Sequence, residues 1–530
     1  MTPRFTIPAQ DTQLAHPTEM RPKHLQTWLE QLHLSDPHTA SSSILSSLAA
    51  LNRQPLSSDT RLKLLALYWQ TIQTQVTMLQ RQLSGSMLPL SAKADAHTRL
   101  ARELLLELGH GYKLVLMDNS TSLLNFRSKP DATPVIYQLL LIQHRILELC
   151  YEMYAPVPVG LWLEIHQTYM YAHETGATHT IISEDAPTTV IHAYQQILLI
   201  ALADPYHLMQ GELSHVIELT REYALLCEIE TTHTANTNAN IFTLNLAEDA
   251  PPHITTRLET RTANSSVCFF NTHNLIEHML FLLAKLEAGS LPASLALTEI
   301  ASEAGYRNLL SRLIHSWGIP HLRRFNRRSN TQNNIEVNHG LRTIHALLNT
   351  TVGNDDKPID ITAASFTAPE NTSRNYFVSQ WQAVNNSAQG HSLRTTGATP
   401  THIKVGELIA MREKTDEPWN LCVIKWIKNV DIGAIAIGVQ LLPPHAHAVS
   451  VCNPFSAIKN VQPGMLFPEN SALKQGNILL TPHGIYMKNV HMDLITDGTH
   501  SIVPGKLVLQ TQSFDLFEFT VDKVNHSNCH

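Results

Sequence analysis

Arg323-Arg324-Phe325-Asn326-Arg327-Arg328 and Asn385-Asn386-Ser387-Ala388-Gln389-Gly390 are the two stretches between which the pattern of this chain changes. Before the first, apolar residues recur at three- and four-residue steps, the spacing of helices buried along one face. After the second, they alternate or run continuously between glycines and prolines, as strands do. The expected fold is α+β and multidomain. A helical bundle or helical-hairpin array comes first, then an antiparallel β-barrel, then further strands.

Upstream of the arginines, Leu25, Trp28, Leu29 and Leu32 form a first apolar stripe. Leu65, Tyr68, Trp69, Ile72, Val76, Leu79 and Leu83 form a longer one, with Ser58 and Asp59 placed to cap it. Helical spacing continues over residues 96–117, with a break expected at Gly109–Gly111. It recurs over 133–153, 160–175, 186–203, 211–230, 274–285 and 295–317. Residues 241–246 alternate like a strand, with 266–271 as the candidate partner. The domains expected are a loose polar lead at 1–21, a mainly helical domain at 22–318 and a barrel at 319–452. The barrel carries an insertion near 341–375, and 453–530 form a further β module or an extension of the barrel. Short breaks between helices imply antiparallel neighbours. Such an array either presents a surface to a protein partner or is a plain bundle with a buried core.

Downstream of the second stretch, residues 419–427 are the clearest strand. Leu421, Val423 and Ile427 fall on one face and Cys422, Ile424 and Trp426 on the other. Two apolar faces indicate a barrel or a covered sheet. Strands are also expected at 405–411, 432–442, 477–480, 484–487, 492–496, 506–512 and 516–521.

The totals narrow the function classes. A chain of 530 residues, 43% hydrophobic and 16% charged, has the apolar content to fold. A formal net charge of −7 argues against a nucleic-acid polymer as partner. No apolar run reaches the length of a membrane span, and the first residues lack the apolar core of a signal peptide. Six cysteines without C-x-x-C spacing suit a reducing cytoplasm. The 30 histidines include His445 and His447, and His33 and His38, but neither group completes a metal-ligand set, so no metal is expected. No phosphate loop, dinucleotide fingerprint, zinc-protease motif or nucleophile elbow is present, and no enzyme or cofactor is expected.

Four arginines within six residues stand out on this background. A guanidinium grips a phosphate, or the O6/N7 edge of guanine, through two parallel bonds, and stacks on a purine face. Asn385 offers an amide to a base edge and Ser387 a hydroxyl. Gly390 permits close backbone approach and a positive φ. The same residue types also suit a basic helix exit and an ordinary turn.

In this order the motifs resemble the PilZ family of cyclic di-GMP receptors, whose pattern is R-x-x-x-R before the first barrel strand and then [D/N]-x-S-x-x-G. Arg323 with Arg327, or Arg324 with Arg328, fits the first element; Asn385, Ser387 and Gly390 fit the second. The resemblance continues through residues 403–408, Trp419 to Trp426, and 437–441, covering about 322–450. It implies a six-stranded barrel that binds cyclic di-GMP through Arg323, Arg324, Arg327, Arg328, Asn385, Ser387 and Gly390. A bacterial cytoplasmic receptor of this kind would pass its signal to a protein partner through the helical region. The rival expectation is a helical scaffold or chaperone-like adaptor with a non-binding barrel.

Overall fold

The computed structural model describes residues 5–11, 18–32, 36–83, 88–121, 131–182, 188–231, 240–254, 266–288, 303–318, 328–329, 333–351, 378–387, 389–395, 403–431, 433–452, 460–469 and 476–522. The chain divides into two compact units. The first comprises Met1–Ser86 and Leu90–Leu322, the second Met87–Pro89 and Arg323–His530. Among the described residues no helix is long and apolar enough to cross a membrane.

The first unit contains α1 (Pro22–Leu32), α2 (Pro37–Arg53), α3 (Ser58–Leu83), α4 (Ala92–Thr121), α5 (Thr133–Glu152), α6 (Leu161–Thr175), α7 (Val190–Leu202) and α8 (Glu212–Tyr223). Asp36 caps α2 by accepting from Thr39 N at 3.1 Å, and Pro37 supplies the pre-set φ of a first helical residue. α4 packs on α2, α3 and α5. It runs unbroken through Gly109 and Gly111, where a break was expected. Gly111 lies at a close approach instead: a Cβ there would sit 2.5 Å from Leu65 Cδ2 and 3.0 Å from Asn52 Oδ1. Residues 5–11, expected as part of a loose lead, lie against the helices. Phe5 is buried, Thr6 N donates to Glu164 Oε1, and Asp11 N donates to Arg53 O. Lys113 Nζ, itself buried, bonds both Thr6 O and the Glu164 carboxylate.

A small sheet follows α8, in the order β1 (Glu228–Glu230), β4 (Val267–Asn271), β2 (Ile241–Asn245), β3 (His253–Ile254). The pairing expected between the segments at 241 and 266 is present as β2 against β4. Residues 228–230, expected at the end of a helix, instead form the edge strand β1. Asp249, in the β2–β3 connection, accepts from Gly160 N and Leu163 N. It thereby satisfies two of the free N–H groups at the start of α6. α9 (His273–Glu287) and α10 (Glu303–Gly318) pack together. Trp317, at the end of α10, is fully buried: its Nε1 donates to Leu199 O at 2.9 Å, and its own carbonyl accepts from Thr272 Oγ1 at 2.6 Å. Gly318 O accepts from Asn240 N.

His166 on α6 is enclosed by Trp162 and Tyr194. Ala250 O can only accept, so Nε2 carries the proton and donates to it, leaving Nδ1 to accept from Tyr194 Oη. Burial pushes this imidazole down to about 4. The unfolded chain takes up that proton near pH 6.5 while the folded unit refuses it until about 4. Stability is therefore full above pH 6.5 and falls as the pH drops towards 4, by about 3 kcal/mol from this group. Denaturant unfolding of wild type and His166→Gln at several pH values checks this. The variant is expected to lose a part of the acid-side slope, and identical slopes would contradict it.

Among its described residues the second unit holds two barrels and one helix. β5 (Arg328–Ser329), β6 (Asn334–His339), β7 (Ser379–Ser387), β8 (Gly390–Thr395), β9 (Leu408–Arg412), β10 (Asn420–Asp431) and β11 (Ala434–Leu441) are ordered β5-β7-β6-β9-β10-β11-β8. A β7–β8 pairing closes six of them, and β5 lies along β7 beyond the end of β6. Leu88 bridges to Ile403. The second barrel is closed from β12 (His447–Cys452), β13 (Val461–Phe467), β14 (Ile478–Pro482), β15 (Met492–Ile495), β16 (Thr499–Gln510) and β17 (Phe514–Val521), in the order β12-β13-β14-β17-β16-β15. Residues 484–487, expected as a strand, form a turn. Gly484 has φ +85°, and the N–H groups of Gly484 and Tyr486 donate to the buried Asp515 carboxylate instead of to a ladder.

A helix opens the insertion. It is present as α11 (Leu341–Thr351) and touches both barrels: β6 and β9 of the first, β12 and β13 of the second. Ile344 and Leu348 join Leu408, Ala410, Leu421 and Val423 of the first barrel and Phe467, Leu480, Phe514 and Leu516 of the second in one core. His345 Nε2 donates to Val449 O at 2.9 Å. The rest of the insertion, 352–377, lies outside the described residues.

Candidate ligand-binding site

The site is set by the register of β7. Ser329 pairs with Asn385 and Arg328 with Asn386 on one side. On the other, Asn385 pairs with Ser392, Asn386 with His391 and Ser387 with Gly390. The backbone at the end of the arginine cluster is thus hydrogen-bonded to the strand that carries the Asn/Ser motif, despite the insertion between them in sequence. Arg323, Arg324 and Arg327 lie outside the described residues.

Asn385, Ser387 and Gly390 come together around the β7–β8 turn, all three half-buried. The Ser387 hydroxyl donates to Gly390 O at 3.2 Å, so it closes the turn. Gly390 does not have the positive φ that was expected as one use of a glycine here. What requires a glycine there is the neighbouring strand: a Cβ would lie 2.2 Å from Val439 O on β11.

Strand register continues this row across the barrel. Asn385 pairs with Ser392, Ser392 with Gly438, and Gly438 with Trp426. The flanking rows, Ala383–Leu393–Ile437–Ile427 and Asn386–His391–Val439–Ile424, are mostly buried and face the barrel interior. Side chains alternate along strands, so the Asn385 row faces outward. A bulge between Ile424 and Trp426 corrects the expected division of β10. Ile427 shares the inner face with Cys422 and Ile424, and Trp426 lies on the outer face with Leu421 and Val423. Strict alternation from sequence misses this, because one inserted residue reverses every face beyond it. The spacing of Gly438 after a tryptophan-bearing strand was the available signal.

Three domain models of one family match in succession. They are the N-terminal domain of the cyclic-di-GMP receptor FimW over residues 23–235, its middle PilZ domain over 241–353 and 348–448, and its C-terminal β-barrel domain over 449–521. The chain belongs to the FimW family of cyclic di-GMP receptors. The FimW receptor of Pseudomonas aeruginosa is 22% identical over an alignment of 562 positions, covering 94% of this chain and 90% of the relative. The FimW middle domain takes in both motif halves and the insertion. Its boundary with the C-terminal barrel, at 448/449, falls inside β12.

Proposed function

We propose that this chain is a cytoplasmic receptor for cyclic di-GMP and acts by binding, without chemistry of its own. The observation that carries the reading is the pairing of Arg328 and Ser329 with Asn386 and Asn385. It runs the backbone at the end of the arginine cluster alongside the strand that carries the amide and hydroxyl groups of the turn, and guanidiniums with amides and hydroxyls are the combination that suits a ligand with two phosphates and two guanines. Membership of a cyclic di-GMP receptor family supports it. Arg323, Arg324, Arg327 and Arg328 are assigned to the phosphates and one guanine edge, and Asn385, Ser387 and Gly390 to the other base. The arginines directly follow α10 in sequence, so ordering them around the ligand is the event passed to the helical unit and its protein partner.

Calorimetric titration of the full chain tests the reading. Saturable heat with cyclic di-GMP, and none with GTP at the same concentration, is expected. A folded protein that gives no heat with cyclic di-GMP would refute it.

A further inference from the structure

Two side chains outside both motif halves sit on the outward face beside the turn. Trp426 shares the row of Asn385, Ser392 and Gly438. A Cβ on Gly438 would lie 1.8 Å from Trp426 Nε1 and 2.3 Å from Cε2, so the indole is laid across the glycine backbone, with no room for any side chain beneath it. The residue is half-buried, so part of it remains open to solvent. Its Nε1 has no hydrogen-bond partner among the described residues. One residue pair along β8, on the same outward face, is Arg394, which pairs with Gln382 and Ala436. Arg394 is exposed, and its guanidinium makes no ion pair or hydrogen bond among the described residues. The spacing of same-face residues on a strand, about 7 Å, separates the two rows.

We propose that Trp426 is a stacking floor for one purine of the ligand, and that Arg394 meets a phosphate of the same molecule from beside it. This rests on the receptor reading above and extends its site across the sheet, from the β7–β8 turn to β10. An aromatic ring over a strand glycine also protects that glycine from solvent, a purely structural use. The free guanidinium beside it has no such use. A flat apolar face, an outward amide row and an unpaired cation together match a base joined to a phosphodiester.

The test uses the full chain with three changes: Trp426→Leu, which keeps an apolar cover on Gly438, Trp426→Phe, which keeps a smaller ring, and Arg394→Gln. Cyclic di-GMP is titrated by calorimetry and by intrinsic fluorescence, with thermal melts as the control for folding. Expected are a loss of affinity on the order of tenfold in Trp426→Leu, a smaller loss in Trp426→Phe, and quenching of wild-type fluorescence that shrinks in both Trp426 variants. Any residual affinity for cyclic di-AMP should fall by the same factor as for cyclic di-GMP, because a stacking face reads any purine. Arg394→Gln, which removes no internal partner, is expected to weaken binding several-fold and to make it less sensitive to salt. Wild-type binding with unchanged affinity in Trp426→Leu and Arg394→Gln, at unchanged melting temperature, overturns this proposal and leaves the receptor reading standing. A folded wild type that does not bind overturns both.

Discussion

Arg328→Ala and Asn385→Ala are each expected to lower the affinity for cyclic di-GMP sharply, the arginine more than the asparagine. A desolvated arginine bound through two charge-assisted bonds leaves its partner unpaired when truncated, a cost of about 2–5 kcal/mol. At about 1.4 kcal/mol per tenfold, that is a loss on the order of thirtyfold to several thousandfold. Asn385 is half-buried and contributes neutral hydrogen bonds, so about 1–2 kcal/mol is expected there. The four single alanine variants at Arg323, Arg324, Arg327 and Arg328 should sort into one strong pair and one weak pair. R-x-x-x-R spacing admits two such pairs, and Arg328 is the member whose backbone is paired beside the turn. Equal calorimetric affinities for wild type, the four arginine variants and Asn385→Ala would move the ligand elsewhere. The melting temperatures of Arg328→Ala and Asn385→Ala should stay near that of wild type. Among the described residues Asn385 makes no side-chain hydrogen bond to the protein, and β5 is a two-residue strand.

Phe467→Ala is expected to unfold the first barrel although it lies in the second. The ring is fully buried, in the core that holds Leu421 and Val423 of β10 together with Ile344 of α11. Truncating a buried phenylalanine costs about 3–5 kcal/mol, by transfer and by the cavity left behind. All tryptophans of the second unit, Trp381, Trp419 and Trp426, belong to the first barrel, and Trp381 is almost wholly buried there. Amide hydrogen exchange resolves the outcome by strand. Protection in β6, β7 and β9–β11 should fall together with that in β12–β17. Loss confined to β12–β17 would show that the barrels fold separately. A chain ending before His447 is expected to behave like the variant, since it exposes Leu408, Ala410, Leu421 and Val423 at once.

The helices were legible because their buried faces repeat: Leu65, Tyr68, Ile72, Val76, Leu79 and Leu83 are all buried on α3. Gly111 was misread because glycine lowers helix propensity, while the close contact with Leu65 that makes it useful is a tertiary fact. The turn at residues 484–487 was misread for a similar reason, since the carboxylate that takes its N–H groups comes from Asp515 on another strand. The motif halves of the candidate site were readable as residue types. The pairing of Arg328 and Ser329 with Asn386 and Asn385 was not, because pairing between β5 and β7 is non-local and leaves no periodicity. The outward turn of Trp426 depends on a single bulge, and local composition does not announce one.

The end of α10 has a mechanical consequence. Helix termini ordinarily fray, so a pull on the last turn is absorbed by unwinding. Here Trp317 and Gly318 are bonded to α7, to Thr272 and to Asn240, and the indole is wedged into the core. The terminus behaves like a bolted joint. A pull on Gly318 therefore meets a fixture rather than a fraying end. It has to be taken up by α7 and the small sheet together, which makes the end of α10 a rigid part of the helical unit.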